Sequence, residues 1–305
     1  MEKLQETSTY APLIDPKVTA EVLRKYGFSM NKRFGQNFLI DAHVLNKIIE
    51  AAELTKEDTV LEIGPGIGTM TQALSEAAGK VIAVEIDSKL IPILADTLQG
   101  RGNVTVLNAD ILRTDIRALS TEMNGGKPFK VVANLPYYIT TPIIMKLLEE
   151  DLPVESITVM VQKEVALRMQ ASPGSKDCGA LSLAVQYYAE AYLAANVPLN
   201  CFMPRPNVDS AVVRLTKRTV PPVSVHTPEL MFRLIRASFN QRRKTLVNGF
   251  RNSGIFALSR EELVAKVTEA GIDENVRGET LGLPEYARLS DVLEPYALPA
   301  KQETV

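Results

Sequence analysis

Thr59-Val60-Leu61-Glu62-Ile63 runs straight into Gly64-Pro65-Gly66-Ile67-Gly68-Thr69, and the residues after it, 70–78, carry a helical pattern. The first five residues are mostly aliphatic or β-branched around a single acid, which reads as a buried strand. The glycines permit a tight turn in which backbone can approach a ligand closely. A second predicted strand, 80–85, ends in Glu85-Ile86-Asp87. Strand, glycine loop, helix and strand in this order point to an α/β fold with a doubly wound, mostly parallel sheet.

The alternation continues outward. A helix is predicted over 88–99, and a strand over 104–107 leads into Asn108-Ala109-Asp110. The apolar run 129–133 leads into Asn134-Leu135-Pro136-Tyr137-Tyr138, with a helix from Thr141-Pro142 to Glu150. A strand over 156–162 and a helix from Lys163 follow. Upstream, 17–26 reads as a short helix, Lys32-Arg33-Phe34-Gly35-Gln36-Asn37-Phe38-Leu39 as a polar and aromatic stretch, and 42–52 as a helix; 1–15 reads as a loose tail. Downstream, 179–189 looks helical and 208–216 alternates as a returning antiparallel strand. Val220-Pro221-Pro222 is the strongest linker signal, and beyond it only helical patterns occur, over 228–239, 243–250, 260–270 and 284–293. The expected organisation is therefore a Rossmann-like domain over 1–220 and a small all-α domain over 221–305.

Hydrophobic residues make up 46% and charged residues 23% of the 305, an ordinary soluble balance with no apolar run of transmembrane length and no secretory leader. Two cysteines and two histidines argue against a disulfide framework, a metal centre or a histidine triad, and favour the cytoplasm. The net charge of −2 hides an asymmetry: from Arg205 to Arg260 there are eleven Lys/Arg and only two acids, Asp209 and Glu229. Such a block suggests a nucleic-acid face, with Arg242-Arg243-Lys244 at its centre; a solvated helix face would explain it more blandly.

Carboxyl ends of parallel strands are where open α/β sheets bind ligands. Gly64-x-Gly66 with Glu85 at the end of the next strand fits a nucleotide-type cofactor whose ribose hydroxyls a carboxylate can hold. An NAD site normally has a third glycine where Thr69 stands. An acid just before the glycines, Glu62, and an acid after the third strand, Asp110, suit S-adenosylmethionine better. Each carboxylate alone would pass as a strand-end loop residue; three on consecutive strands are harder to dismiss. Asn134 and Tyr137 taken alone would pass as a capping amide and a core aromatic. Beside a cofactor they offer a carbonyl acceptor for an amine and a flat face for a base.

These stretches, with Phe202-Met-Pro-Arg-Pro-Asn-Val-Asp-Ser210, Gln241-Arg-Arg-Lys-Thr-Leu246 and Arg277-Gly-Glu-Thr-Leu281, occur in an order that resembles the bacterial 16S rRNA adenine N6,N6-dimethyltransferases, over roughly 17–293. The resemblance implies that Asn37 and Leu39 close over the methionine side of S-adenosylmethionine, and that Gly64 approaches it by backbone. It implies that Glu85 takes the ribose, Asp110 the adenine amine, and that Asn134 lies near cofactor and target base. Asn134 and Leu135 would accept the target amine, with Tyr137 and Phe202 stacking on its ring. Phe202 reads equally well as a core aromatic. Arg205, Arg242, Arg243 and Lys244 are the candidate RNA contacts. The implied substrate is two adjacent adenines near the 3′ end of 16S rRNA in the immature 30S subunit, methylated by a monomer without a metal. The rivals are a macrolide-resistance enzyme acting on 23S rRNA, which commonly has Ile at the place of Leu135, a non-catalytic assembly factor, and a dehydrogenase.

Overall fold

The computed structural model describes residues 12–29, 35–149 and 152–299. The expectations for the first eleven residues and for Lys32-Arg33-Phe34 lie outside this range. The strands are β1 (Phe38–Leu39), β2 (Thr59–Ile63), β3 (Lys80–Glu85), β4 (Val104–Asn108), β5 (Phe129–Asn134), β6 (Val154–Gln162), β7 (Ala189–Val197), β8 (Phe202–Met203) and β9 (Ser210–Lys217). The helices of the first part are α1 (Pro16–Lys25), α2 (Ala42–Ala52), α3 (Thr69–Ala77), α4 (Ile91–Thr97), α5 (Ile116–Asn124), α6 (Thr140–Glu149) and α7 (Lys163–Met169). Then come α8 (Ala180–Tyr188), α9 (Pro228–Asn240), α10 (Leu246–Ser253), α11 (Arg260–Glu269) and α12 (Leu283–Leu293).

One seven-stranded sheet has the order β4-β3-β2-β5-β6-β9-β7. β4, β3, β2, β5 and β6 are mutually parallel, and β9 returns antiparallel to β6. All of β2 is buried, and Val60 and Leu61 are fully so. A side chain of that size gains roughly 1.5–3 kcal/mol on leaving water. One face is closed by α2 and α3 over Val60 and Val81, with Val212 of β9 in the same cluster; a second cluster gathers Val22, Ile67, Leu90 and Leu94. Local chemistry starts the helices where packing needs them. Asp15 accepts from Lys17 N ahead of Pro16, and Asp41 accepts from Val44 N at 3.0 Å.

Strand order reverses between β2 and β5, whose register pairs Ile63 with Ala133. The glycine loop after β2 and the Asn134 loop after β5 therefore leave the sheet side by side.

The chain divides into two compact units, Met1–Ala166 with Glu190–Lys217, and Leu167–Ala189 with Arg218–Val305. This differs from a single cut near 220: residues 167–189 cluster with the helical part. The reason is aromatic. Tyr187 and Tyr188 on α8 meet Phe232 of α9 at ring centroid distances of 5.3 and 5.2 Å. β7 is a second difference; its run of alanines hides the period-2 pattern that marks a strand. α10 begins at Leu246 rather than 243, which leaves Arg242-Arg243-Lys244 in the turn before it. No helix among the described residues is long and apolar enough to cross a membrane.

Within the second unit, Gly278 is the tightest approach. A Cβ there would stand 2.4 Å from Ser238 Cβ and 2.7 Å from the hydroxyl of fully buried Tyr286. That hydroxyl donates to the Gly278 carbonyl at 3.0 Å. Gly278→Ala is expected to cost about 1–3 kcal/mol by overpacking. A urea midpoint equal to that of the native protein would contradict this packing.

Candidate active site

A cleft opens at the carboxyl ends of β2, β3, β4 and β5, with an empty volume of about 1110 Å³ including its open mouth. Its walls are the loop 35–39, the glycine loop, Glu85-Ile86, Ala109-Asp110-Ile111 and the loop 134–139. The parallel strands end here, and the turns that leave them present amides and side chains to the cleft.

Gly64 has φ +72° and open space where a Cβ would stand. A side chain there would be strained and would project into that space. Glu85 is buried. Its Oε2 accepts from Gly66 N at 3.2 Å and its Oε1 from Asp87 N at 2.8 Å, so the glycine loop is tied to the end of β3. Burial pushes its pKa up, against the backbone donors that hold the charged form. Asp110 is fixed by Leu112 N, which donates to its Oδ1 at 2.9 Å.

Glu62 is 0% exposed, and neither carboxyl oxygen has a hydrogen-bond partner. Burial pushes its pKa up to about 8, and the neighbouring Glu85 adds to this. The Thr71 hydroxyl opposes the shift only in part, since it makes no well-formed hydrogen bond with the carboxyl group. The Thr69 hydroxyl is likewise buried and unpartnered. An unpaired buried carboxyl costs several kcal/mol unless it stays protonated or meets a cation. An orphaned acid in the wall, open space over Gly64 and strand-end carboxylates for hydroxyl and amine donors all fit S-adenosylmethionine, whose ammonium and sulfonium are cationic.

Asn134 Nδ2 donates to the Asn37 carbonyl at 3.1 Å, which leaves Oδ1 as its acceptor on the cleft. Asn37 Nδ2 in turn donates to Gly35 O at 3.0 Å. Gln36, which the sequence presents only as part of a polar and aromatic stretch, donates to Asp87 Oδ2 at 2.9 Å and fastens loop 35–39 to the end of β3. No pattern in the sequence signals that bond. Leu39 lines the cleft and also belongs to the core beneath it. Leu135 lines the cleft too, its N–H held by Met160 O at 3.1 Å. The Tyr137 hydroxyl and Ser210 Oγ lie 2.9 Å apart, which pins the ring from the start of β9. Burial raises the phenol's pKa and the nearby Asp209 charge adds to this, so Tyr137 acts as a neutral ring.

Phe202 is not on the cleft. It is 2% exposed, pairs with Leu39 across β1 and β8, and packs with Ile48, Val60 and Val212. In this structure its ring lies in the core beside Leu39. Arg242 is also otherwise engaged. Its Nε donates to Glu279 Oε2 at 2.9 Å, its Nη2 donates to Lys176 O at 3.1 Å, and its guanidinium lies 5.9 Å from the Phe239 ring centre. Arg243 and Lys244 are exposed and have no ion pair among the described residues; Arg205 is exposed as well. No group of three His, Cys, Asp or Glu side chains arranged for a metal occurs among the described residues.

Residues 27–294 match the ribosomal RNA adenine dimethylase family. A protein named ribosomal RNA small subunit methyltransferase A from Lachnoclostridium phytofermentans is 62% identical over 285 residues, 93% of this chain and 98% of that protein. The protein of the same name from Clostridioides difficile is 51% identical, over 90% of this chain and 94% of its own length. A crystal structure of a dimethyladenosine transferase from Plasmodium falciparum matches with a TM-score of 0.70 and 26% identity, over 85% of this chain and 99% of that one. The 23S rRNA methyltransferase ErmE matches with a TM-score of 0.62 and 27% identity, over 85% of this chain and all of its own, 100%.

Glu62 makes the stability of the free protein depend on pH. Its folded pKa lies above its ordinary value of 4.5, so the unfolded chain releases this proton first. The contribution is full below about 4.5 and is lost as pH rises through about 8. Glu62→Gln is expected to flatten this part of the melting profile, measured without cofactor. A variant with the native slope would show that Glu62 is already ionised.

Proposed function

The chain belongs to the ribosomal RNA adenine dimethylase family, and we propose that it transfers methyl groups from S-adenosylmethionine to the N6 amines of two adjacent adenines near the 3′ end of 16S rRNA in the immature 30S subunit. The observation that carries this reading is the Asn134 loop beside an unsatisfied acidic cleft.

When bound, S-adenosylmethionine supplies a methyl group activated by its sulfonium. Glu85 holds the ribose hydroxyls, Asp110 accepts from the cofactor adenine amine, and Ile86 and Ile111 provide apolar walls beside it. Glu62 takes the ammonium, which restores the charge that burial suppresses. Asn37 and Leu39 close the methionine side.

An adenine N6 is a poor nucleophile because its lone pair is delocalised into the ring. Asn134 Oδ1 and the Leu135 carbonyl each accept one N6 hydrogen, which favours a tetrahedral nitrogen and aims its lone pair. The ring of Tyr137, held by Ser210, stacks on the base. Held so, the nitrogen lone pair would face the activated methyl group that the bound cofactor would supply, for in-line displacement with the sulfur as leaving group. Positioning supplies most of the rate, since the leaving group is good and the N6 proton departs to water afterwards. The second transfer has one N6 hydrogen fewer, so either acceptor suffices. The target base is extruded from, or already outside, its stack. Arg205, Arg243 and Lys244 contact RNA phosphates and contribute affinity and register.

A 23S rRNA target is the second reading, because of the likeness to ErmE. The 62% identity to a relative named for the small subunit favours the first.

Labelled methyl transfer to unmethylated 30S particles and to protein-free 23S rRNA tests the proposal. N6,N6-dimethyladenosine in the 30S sample alone is expected; label only in 23S would replace this reading with the resistance-type one. Asn134→Ala is expected to lower transfer by a factor of about 100 or more while RNA binding stays within about twofold, by loss of an oriented acceptor. Near-native transfer would remove Asn134 from the mechanism. Arg243→Ala with Lys244→Ala is expected to reduce the salt slope of RNA binding by about two, with an unchanged unfolding midpoint. Arg242→Ala is expected to lower that midpoint through its lost bonds to Glu279 and Lys176. An unchanged slope in the first variant would make the patch a solvated face.

A further inference from the structure

Two consecutive tyrosines in the loop after β5 are placed differently. Tyr137 is partly buried and its hydroxyl meets Ser210, which fixes it within the cleft. Tyr138 is 56% exposed, although it too lines the cleft. Its Cδ1 edge lies beside loop 35–39, within 3.8 Å of where a Cβ on Gly35 would stand. The ring therefore stands at the mouth, where the loops 35–39 and 134–139 meet, and it keeps more than half of its surface open to water. Exposed aromatic surface at the mouth of a cleft is a surface on which a base can stack. Ile86 is the other cleft residue among the exposed large apolar side chains, at 44%, and the adenine of the cofactor accounts for it. Nothing in the transfer described above uses Tyr138.

We propose that Tyr138 is a second base platform, which stacks the nucleotide next to the target adenine. The inference rests on the proposed adenine substrate and deepens it. A base drawn out of a stack loses its neighbours, and its neighbour loses one face as well. An aromatic ring at the mouth restores that face and holds the flanking nucleotide as the target enters. Stacking on a ring tolerates any base, and purines bind best because they present the larger surface. With two adjacent targets, the platform would hold one adenine while the other reacts.

The test compares the native enzyme with Tyr138→Ala, Tyr138→Leu and Tyr138→Trp on unmethylated 30S particles. The particles carry either a purine or uridine beside the reacting adenine. Tyr138→Ala is expected to raise KM for the particle about 5- to 150-fold, the range of one base–aromatic stack, with kcat within twofold and cofactor affinity unchanged. Leu, which keeps apolar bulk without a ring, is expected to behave like Ala, and Trp to restore native KM. The native enzyme is expected to lose affinity when the flanking purine becomes uridine, and Tyr138→Ala to be indifferent to that change. Full rescue by Leu, weakened cofactor binding, or an undiminished purine preference in Tyr138→Ala would overturn the proposal. Native enzyme that transfers no methyl group to any of these particles would instead overturn the functional reading, and this inference with it.

Discussion

Parallel pairing of β2 with β5 is the constraint on which the site depends. The two strands are distant in sequence, and their pairing skips β3 and β4. The sheet must therefore reverse direction between them, and a crevice opens where no crossover helix can cover the strand ends. Both loops that matter leave from that point. The register of Ile63 against Ala133 sets the glycine loop and Asn134 at the same height, and the bond from Asn134 to the Asn37 carbonyl then draws a third segment over them. A slip of the β2–β5 register would move Asn134 away from the glycine loop before any residue of the cleft had changed.

The cleft is built around carboxyl groups that burial disfavours. Glu85 meets that cost with two backbone donors from the segments that it joins, Gly66 and Asp87, so the same bonds that hold its charge also shape the loop. Glu62 has no such donors. A protein that kept an apolar residue there would be more stable when empty. Under the proposed reading, a bound cation would offset that cost, so stability of the empty protein and cofactor binding would oppose each other at Glu62.

Most of the cleft lining was legible in the primary structure, because it follows from strand ends. Gly64, Glu85 and Asn134 directly follow or end an apolar run and Asp110 comes three residues after one, and a parallel sheet lines such positions up without further information. Phe202 and Arg242 were not legible in that way. Their neighbours in sequence are polar, basic or turn-forming, so both look available to a ligand. One is buried by pairing with Leu39, the other engaged by Glu279 and the Lys176 carbonyl, and all three partners are remote along the chain. Gln36 is the converse: an ordinary polar residue in sequence, and a fastening of the cleft once Asp87 is beside it.

The sequence by itself determined the fold class, the order of the parallel strands along the chain and the strand-end residues that line the cleft. Periodicity and glycine placement are local properties, and a parallel sheet converts them to positions by simple geometry. Tertiary structure alone decided which exposed-looking groups remain exposed, that residues 167–189 cluster with the helical unit, and that Glu62 stays without a partner. These depend on contacts between segments far apart in the chain. Burial and hydrogen bonding at such contacts are set by which surfaces meet, and no local pattern encodes that.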